Sequence, residues 1–181
     1  MNPSTRSSER LSGPGGLQRA VSLFFEGGAP VMLVWSRNKE RLDECVLALT
    51  EELAAEGSTI RRHQPSGMEA LLAALNALVE DLSAHELGGV GSSNNLRVLV
   101  IDSAEQMSVE EMHSVRRVVI ALAASPVRFI VGACTASQPF LDATGKPVLP
   151  SAVAWDLDAD PIGVRDDSKM ELAFIENAPP S

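Results

Sequence analysis

Tyrosine is absent from this sequence, and aromatic residues make up only 4% of its 181 positions. A core with so few large rings must be built from Leu, Val, Ile and Ala, which suits a buried parallel sheet covered by helices. Cysteine is scarce too, with Cys45 and Cys134 standing far apart. Two isolated cysteines make neither a disulfide framework nor a metal-ligand cluster, and they read as reduced thiols in the core. No apolar run approaches the roughly 20 residues that span a bilayer, so no membrane span is expected. The N-terminus carries no signal-peptide pattern. These absences make a cytoplasmic location the expectation.

What is present is an ordinary globular composition, 45% hydrophobic and 22% charged, with a formal net charge of −9. That charge argues against binding driven by the electrostatics of nucleic acid or an anionic membrane. The length suits one domain with a sizeable core.

Residues 1–16 are polar and rich in Ser, Gly and Pro, and read as a flexible lead-in. Leu17 to Glu26 has the pattern of a helix stopped by Gly27 and Gly28. Val31 to Trp35 is an apolar run of buried-strand length. The next helix is expected to start between Arg37 and Glu40 and to end at Gly57, with Leu42, Val46, Leu49 and Leu53 at helical spacing. Thr59 to His63 reads as a short strand. Ser66 is the expected cap of a helix whose apolar stripe is Met68, Leu71, Leu72, Leu75, Leu78, Val79 and Leu82.

Gly88 to Asn95 is a loop before the strand Leu96 to Ile101. Ser108 and Glu111 have capping-box spacing and open a helix with Met112, Val115, Val119 and Leu122 on one face. Pro126 stops that helix, and Val127 to Val131 is a strand. A loop over 135–150 leads to a last strand, Ala152 to Leu157. The acidic tail from Asp158 reads as a solvated terminus, with a short element over Lys169 to Glu176. Strands and helices that alternate in this way predict an α/β fold: an open, mainly parallel sheet with helices on both faces.

The chemistry is marked by a gap. A strand ending in aspartate is what a P-loop NTPase uses to hold Mg²⁺, and Asp102 ends such a strand here. The phosphate loop that should accompany it, Gly-x-x-x-x-Gly-Lys-Ser/Thr between a strand and a helix, is missing. If Ser36 takes the first glycine position, Arg41, Leu42 and Asp43 fall on Gly, Lys and Ser/Thr, and none matches. Glu40, Asp43 and Glu44 favour a helix N-terminus and repel triphosphate. Arg37, Lys39 and Arg41 are left as an anion-attracting set, or simply as solvated loop charges. Asp102 itself has a plain alternative role, capping the turn into the next helix.

Gly88 to Gly91 follows a helix and precedes a strand, the reverse of a phosphate loop. No Gly-x-Gly-x-x-Gly follows the first strand, which argues against a Rossmann cofactor site. Trp35-Ser36 stands where a response-regulator receiver needs clustered acids. His63, His85 and His113 lack metal-ligand spacing and read as surface or partly packed histidines. Ser137 and Ser151 lack a nucleophile-elbow setting.

The helix before PVMLVW, the run LRVLVIDSAEQM, the strand VRFIVGAC and the final AVAWDLD together resemble the additional-strand class of P-loop NTPases. The likeness is more narrowly to AAA+ ATPases of the secretion-pathway and cell-division type. It spans about 17–157, which makes that segment a degenerate NTPase-like domain between the lead-in 1–16 and the tail 158–181.

The departures from that family concern catalysis. Ser103 stands where the catalytic Glu would follow Asp102, and Glu105 reaches that role only in a rearranged loop. Arg116 and Arg117 are mid-helix and do not match an arginine finger. Thr135 is a loose counterpart of a sensor residue, and the chain is too short for a helical lid.

The resemblance implies a catalytically inactive domain that needs no cofactor. Its partner would be a protein, an active ATPase relative or an assembly component. The alternative is an unorthodox nucleotide-binding ATPase built on Asp102, with Ser36, Lys39 and Arg41 on the phosphates. A nucleic-acid module is suggested only by the pairs Arg61-Arg62 and Arg116-Arg117, and the acidic total opposes it.

Overall fold

The structure is a computed structural model that describes residues 10–11, 16–26, 28–88 and 95–159. Among these residues six strands form one sheet: β1 (Arg10–Leu11), β2 (Val31–Ser36), β3 (Thr59–His63), β4 (Arg97–Ile101), β5 (Val127–Cys134) and β6 (Ala152–Asp156). Their order across the sheet is β1-β6-β2-β5-β4-β3, and every pairing is parallel. The helices are α1 (Gly16–Phe25), α2 (Lys39–Ala55), α3 (Met68–Val79), a short α4 (Ala84–Leu87) and α5 (Val109–Ala121).

Side chains alternate across each strand, so every strand feeds two cores. Val31, Leu33 and Trp35 of β2 join Leu99 and Ile101 of β4 and Phe129 and Val131 of β5 on one face. Leu71, Leu75 and Leu78 of α3 and Met112, Val115 and Val119 of α5 cover that face. Met32, Val34, Val98, Val100 and Ile130 point the other way, under Ala20 and Phe24 of α1 and Leu42, Val46, Leu49 and Leu53 of α2. Leu49 is fully buried, and a cavity left by truncating such a residue typically costs about 2–5 kcal/mol. The fold is therefore α/β, an open parallel sheet with helices on both faces, as the alternation of elements predicts.

Several local expectations shift. Arg10–Leu11, within the segment read as a lead-in, pair with Ala154 and Trp155 as strand β1. The α2 helix stops at Ala55, short of Gly57. Leu72, counted in the apolar stripe of α3, is 47% exposed, because Leu71, Leu75 and Leu78 already define the buried face. His63, read as a surface or partly packed histidine, is buried at the end of β3. Arg61 and Arg62, the two residues before it, are exposed. The element expected over Lys169 to Glu176 and most of the loop Gly88 to Asn95 lie outside the described residues.

Ser66 does not cap α3. Gly67 is the N-cap, with φ 111° and no side chain to offer. Its backbone N–H donates instead to Glu111 Oε1 at 3.1 Å. Glu111 also closes the expected capping box of α5: Ser108 N–H donates to Glu111 Oε2 at 2.8 Å, and Glu111 N–H donates to Ser108 Oγ at 3.2 Å. One buried carboxylate thus ties the start of α5 to the start of α3. The Ser108 N–H holds the Glu111 carboxyl below its ordinary value of 4.5, helped by the Ser108 hydroxyl and the Gly67 N–H and opposed by burial.

A depressed native pKa means that the unfolded chain takes up this proton first as pH falls. The contribution of Glu111 is complete above its ordinary value and is lost as pH drops through the lower, folded one. We expect urea unfolding of Glu111→Gln to show lower stability than the parent at neutral pH. The gap should narrow as pH falls below 4.5. A gap that stays constant over that range would remove this carboxylate from the acid response.

Candidate functional site

In open parallel sheets ligands gather at the carboxyl ends of the strands. Here that edge carries Ser36 from β2, Arg62 just before the end of β3, Asp102 just after β4, Cys134 from β5 and Asp158 just beyond β6. The connection from β2 to α2 is very short. Only Arg37 and Asn38 lie between the strand and Lys39, the first residue of the helix. Asn38 is the N-cap, and its side chain accepts from the Arg41 N–H at 3.2 Å. A chain this tight has no run of free N–H groups to wrap a phosphate.

The residues aligned with the end of the phosphate loop, Arg41, Leu42 and Asp43, are consequently helical. Leu42, at the lysine position, is 2% exposed and packs into the core beneath α2. Lys39 is on the surface, where its ammonium pairs with Asp43 one turn on. Arg41 sits in the first turn of α2, with its backbone N–H committed to the cap. Ser36 is fully buried. Ser36, Lys39 and Arg41 therefore do not converge on one point as phosphate ligands would.

Ser36 has a different companion. Its hydroxyl donates to Asp158 Oδ1 at 2.6 Å, and its oxygen accepts from the Asn38 N–H at 3.0 Å. The Arg37 N–H donates to Asp158 Oδ2 at 2.7 Å, and Arg37 Nε reaches the same oxygen at 3.3 Å. The parallel register explains the encounter. Trp35 pairs with Asp156, and the Leu157 N–H donates to the Trp35 carbonyl at 3.0 Å, so the next residue arrives beside the turn. The Ser36 hydroxyl, followed by the Arg37 N–H, holds the Asp158 carboxyl below the usual carboxylate range. A carboxylate of the chain itself thus takes donors at the place where the sequence alignment put a phosphate.

Asp102 is likewise engaged. Arg62 Nε donates to Asp102 Oδ2 at 3.1 Å and Arg62 Nη2 donates to Oδ1 at 3.3 Å, a two-pronged pair. The Asp102 N–H donates to the His63 carbonyl at 2.9 Å, which extends the β3–β4 pairing by one step. The carboxylate does not cap the next turn. That turn is made by Ser103 in a left-handed conformation, φ 53°, leading into a single 3-10 turn over Ala104–Gln106. Glu105 in this turn accepts from the Cys134 N–H at 2.9 Å, which fixes the end of β5. Thr135 enters through its backbone, donating to the Ser36 carbonyl at 2.9 Å.

Among the described residues, no three His, Cys, Asp or Glu side chains are grouped to hold a metal ion. Beside the Arg62–Asp102 pair runs an open groove of about 900 Å³, bordered by Lys39, Glu40, Glu44, Leu47 and Gln64.

Two residues of this arrangement escaped the sequence reading. In the sequence Asp158 reads as part of a solvated tail, and Arg62 only as half of a basic pair. No local pattern marks either one, since each acquires its role from strand register.

No family model matches this chain, and no curated protein does. Among solved structures, that of Drosophila ORC bound to DNA contains a similar chain, with 13% identity and a TM-score of 0.47. The similarity covers 79% of this chain and 42% of that one, so this chain spans less than half of that neighbour. A likeness of that extent adds nothing to the strand order already described. No helix among the described residues is long and apolar enough to cross a membrane.

The two internal contacts should differ in weight. Asp158 gathers hydrogen bonds from a buried hydroxyl and a backbone N–H, and losing charge-assisted bonds of this kind costs about 1–2 kcal/mol. Arg62 is 46% exposed in its pair, and exposed ion pairs contribute about 1 kcal/mol or less. Urea unfolding should therefore rank Asp158→Ala as more destabilising than Arg62→Ala. The opposite ranking would mean that the turn after β2 holds its shape without Asp158.

Proposed function

We propose that this chain is a P-loop-NTPase-like domain that has exchanged its phosphate and metal contacts for internal ones. It acts as a protein-interaction or regulatory subunit of a larger assembly. The observation that carries this reading is the fate of Leu42 and Asp102. The lysine position is filled by a core leucine, and the carboxylate at the magnesium position is held by Arg62.

Strand order supports the ancestry. β5 lies between β2 and β4, the inserted strand for which the additional-strand class is named. Without a phosphate loop the largest electrostatic contribution to binding a triphosphate is gone. A scaffold of this strand order without its ligand contacts leaves its surfaces as the working parts.

The competing reading, a nucleotide-binding ATPase that uses Asp102, draws on the groove beside that residue and on Lys39 at its border. Calorimetric titration with ATP and with GTP, each with and without Mg²⁺, separates the two. We expect no saturable heat up to millimolar nucleotide, and no difference between the parent and Asp102→Asn. Saturable binding that disappears in Asp102→Asn would overturn the proposal and make turnover the next measurement.

A further inference from the structure

Two helices on opposite sides of the sheet present outward stripes of opposite charge at the same spacing. On α2 the stripe is Glu40, Asp43, Glu44 and Leu47, all exposed, with Leu47 at 47%. On α5 it is His113, Arg116, Arg117 and Ile120, all exposed, with Ile120 at 55%. Both follow positions i, i+3, i+4 and i+7, which lie on one helical face. Each places its large aliphatic residue one turn after its charges.

Laid side by side and parallel, the two stripes match end to end, with the flanking charges crossing over, since the i+3 side of one helix faces the i+4 side of the other. Glu40 meets His113, Asp43 meets Arg117, Glu44 meets Arg116, and Leu47 meets Ile120. Each stripe also borders a groove, about 900 Å³ beside α2 and about 580 Å³ beside α5. Large exposed aliphatic residues are few among the described residues, and these stripes hold two of them.

We propose that α5 of one copy of this chain docks on α2 of the next. The occupant is a second copy because the chain carries both halves of the match, in charge and in apolar position. The inner faces of α2 and α5 pack on opposite sides of the sheet, so one molecule cannot satisfy its own stripes. The contact is heterologous, head to tail, and leaves a free stripe at each end for a further copy.

Local charges oppose it only weakly. Lys39 already pairs with Asp43, Arg117 Nη2 donates to Ser114 Oγ at 3.1 Å, and Glu110 borders the basic groove. Exposed pairs of this kind exchange partners at little cost. The net charge of −9 repels copies at long range, and a contact of one helix on one helix is below the area of a stable interface. Association is therefore weak, with half-association at roughly 0.1 mM.

This inference rests on the reading of the chain as an assembly component and names its partner. Nucleotide binding in the titration would fail that reading alone, whereas a chain that never self-associates fails this inference alone.

Sedimentation velocity of the full chain over a concentration series up to roughly 1 mM tests it, with two charge-reversed variants. One carries Arg116→Glu and Arg117→Glu, the other Glu40→Lys and Glu44→Lys. The parent should sediment faster as concentration rises. Each variant alone should associate at least about tenfold more weakly, and an equimolar mixture of the two should associate again. If a reversal unfolds the chain, judged by circular dichroism, Arg116→Gln and Glu44→Gln carry the same comparison. A parent that stays monomeric overturns the proposal. So do variants that associate as the parent does, a mixture that fails to recover, or a basic stripe that takes up duplex DNA instead.

Discussion

β2 is hydrogen-bonded to β5 along one edge and to β6 along the other, and every residue from Val31 to Ser36 is buried. It shares with β4 the property of feeding both cores while being paired on both sides, and it alone of the two leads directly into the turn before α2. Its residues give Val31, Leu33 and Trp35 to one core and Met32 and Val34 to the other. Parallel pairing on both edges also fixes where the neighbouring strands end. The positions of Asp158 beyond β6 and of Thr135 beyond β5 follow from the register of β2.

The same constraint explains why the edge that would bind a ligand is occupied from within. With β2 and α2 separated by only Arg37 and Asn38, the turn is too short to cradle a phosphate, and its N–H groups need partners. Asp158 accepts from the Arg37 N–H and the Ser36 hydroxyl oxygen from the Asn38 N–H. At the neighbouring position, Arg62 neutralises Asp102, a carboxylate only 16% exposed that would otherwise be charged and unpaired. Each substitution of an internal partner for an external one removes a reason for the site to bind and adds a reason for the edge to stay folded.

The α2 helix links this edge to the surface. Its inner positions Leu42, Val46, Leu49 and Leu53 anchor it on the sheet, which turns Glu40, Asp43, Glu44 and Leu47 outward. A helix whose first turns hold a core leucine in place of a phosphate-binding lysine is free to carry acidic residues near its N-terminus, where the helix dipole favours them. Loss of phosphate binding and gain of an acidic outer face are therefore compatible features of one short segment. The α5 helix is organised in the same way, with Met112, Val115 and Val119 inward and a basic stripe outward.

Periodicity alone was enough to read the alternation of elements, the inward faces of α2 and α5, and the Ser108–Glu111 capping box, because each depends on residues within a few positions of one another. The missing phosphate loop was legible for the same reason. Local pattern misjudged Ser66, Leu72 and His63, whose settings depend on a carboxylate from α5, on the width of the face that α3 buries, and on burial at the end of β3. It was silent on Asp158 and Arg62. Ser36 and Asp158 stand far apart in sequence, as do Arg62 and Asp102, and only strand register brings each pair within hydrogen-bond reach. Sequence by itself determined which faces would be buried and which chemistry was missing, since burial and motif are short-range properties. Tertiary structure decided what replaced that chemistry, since the replacing partners meet only once the parallel strands are in register.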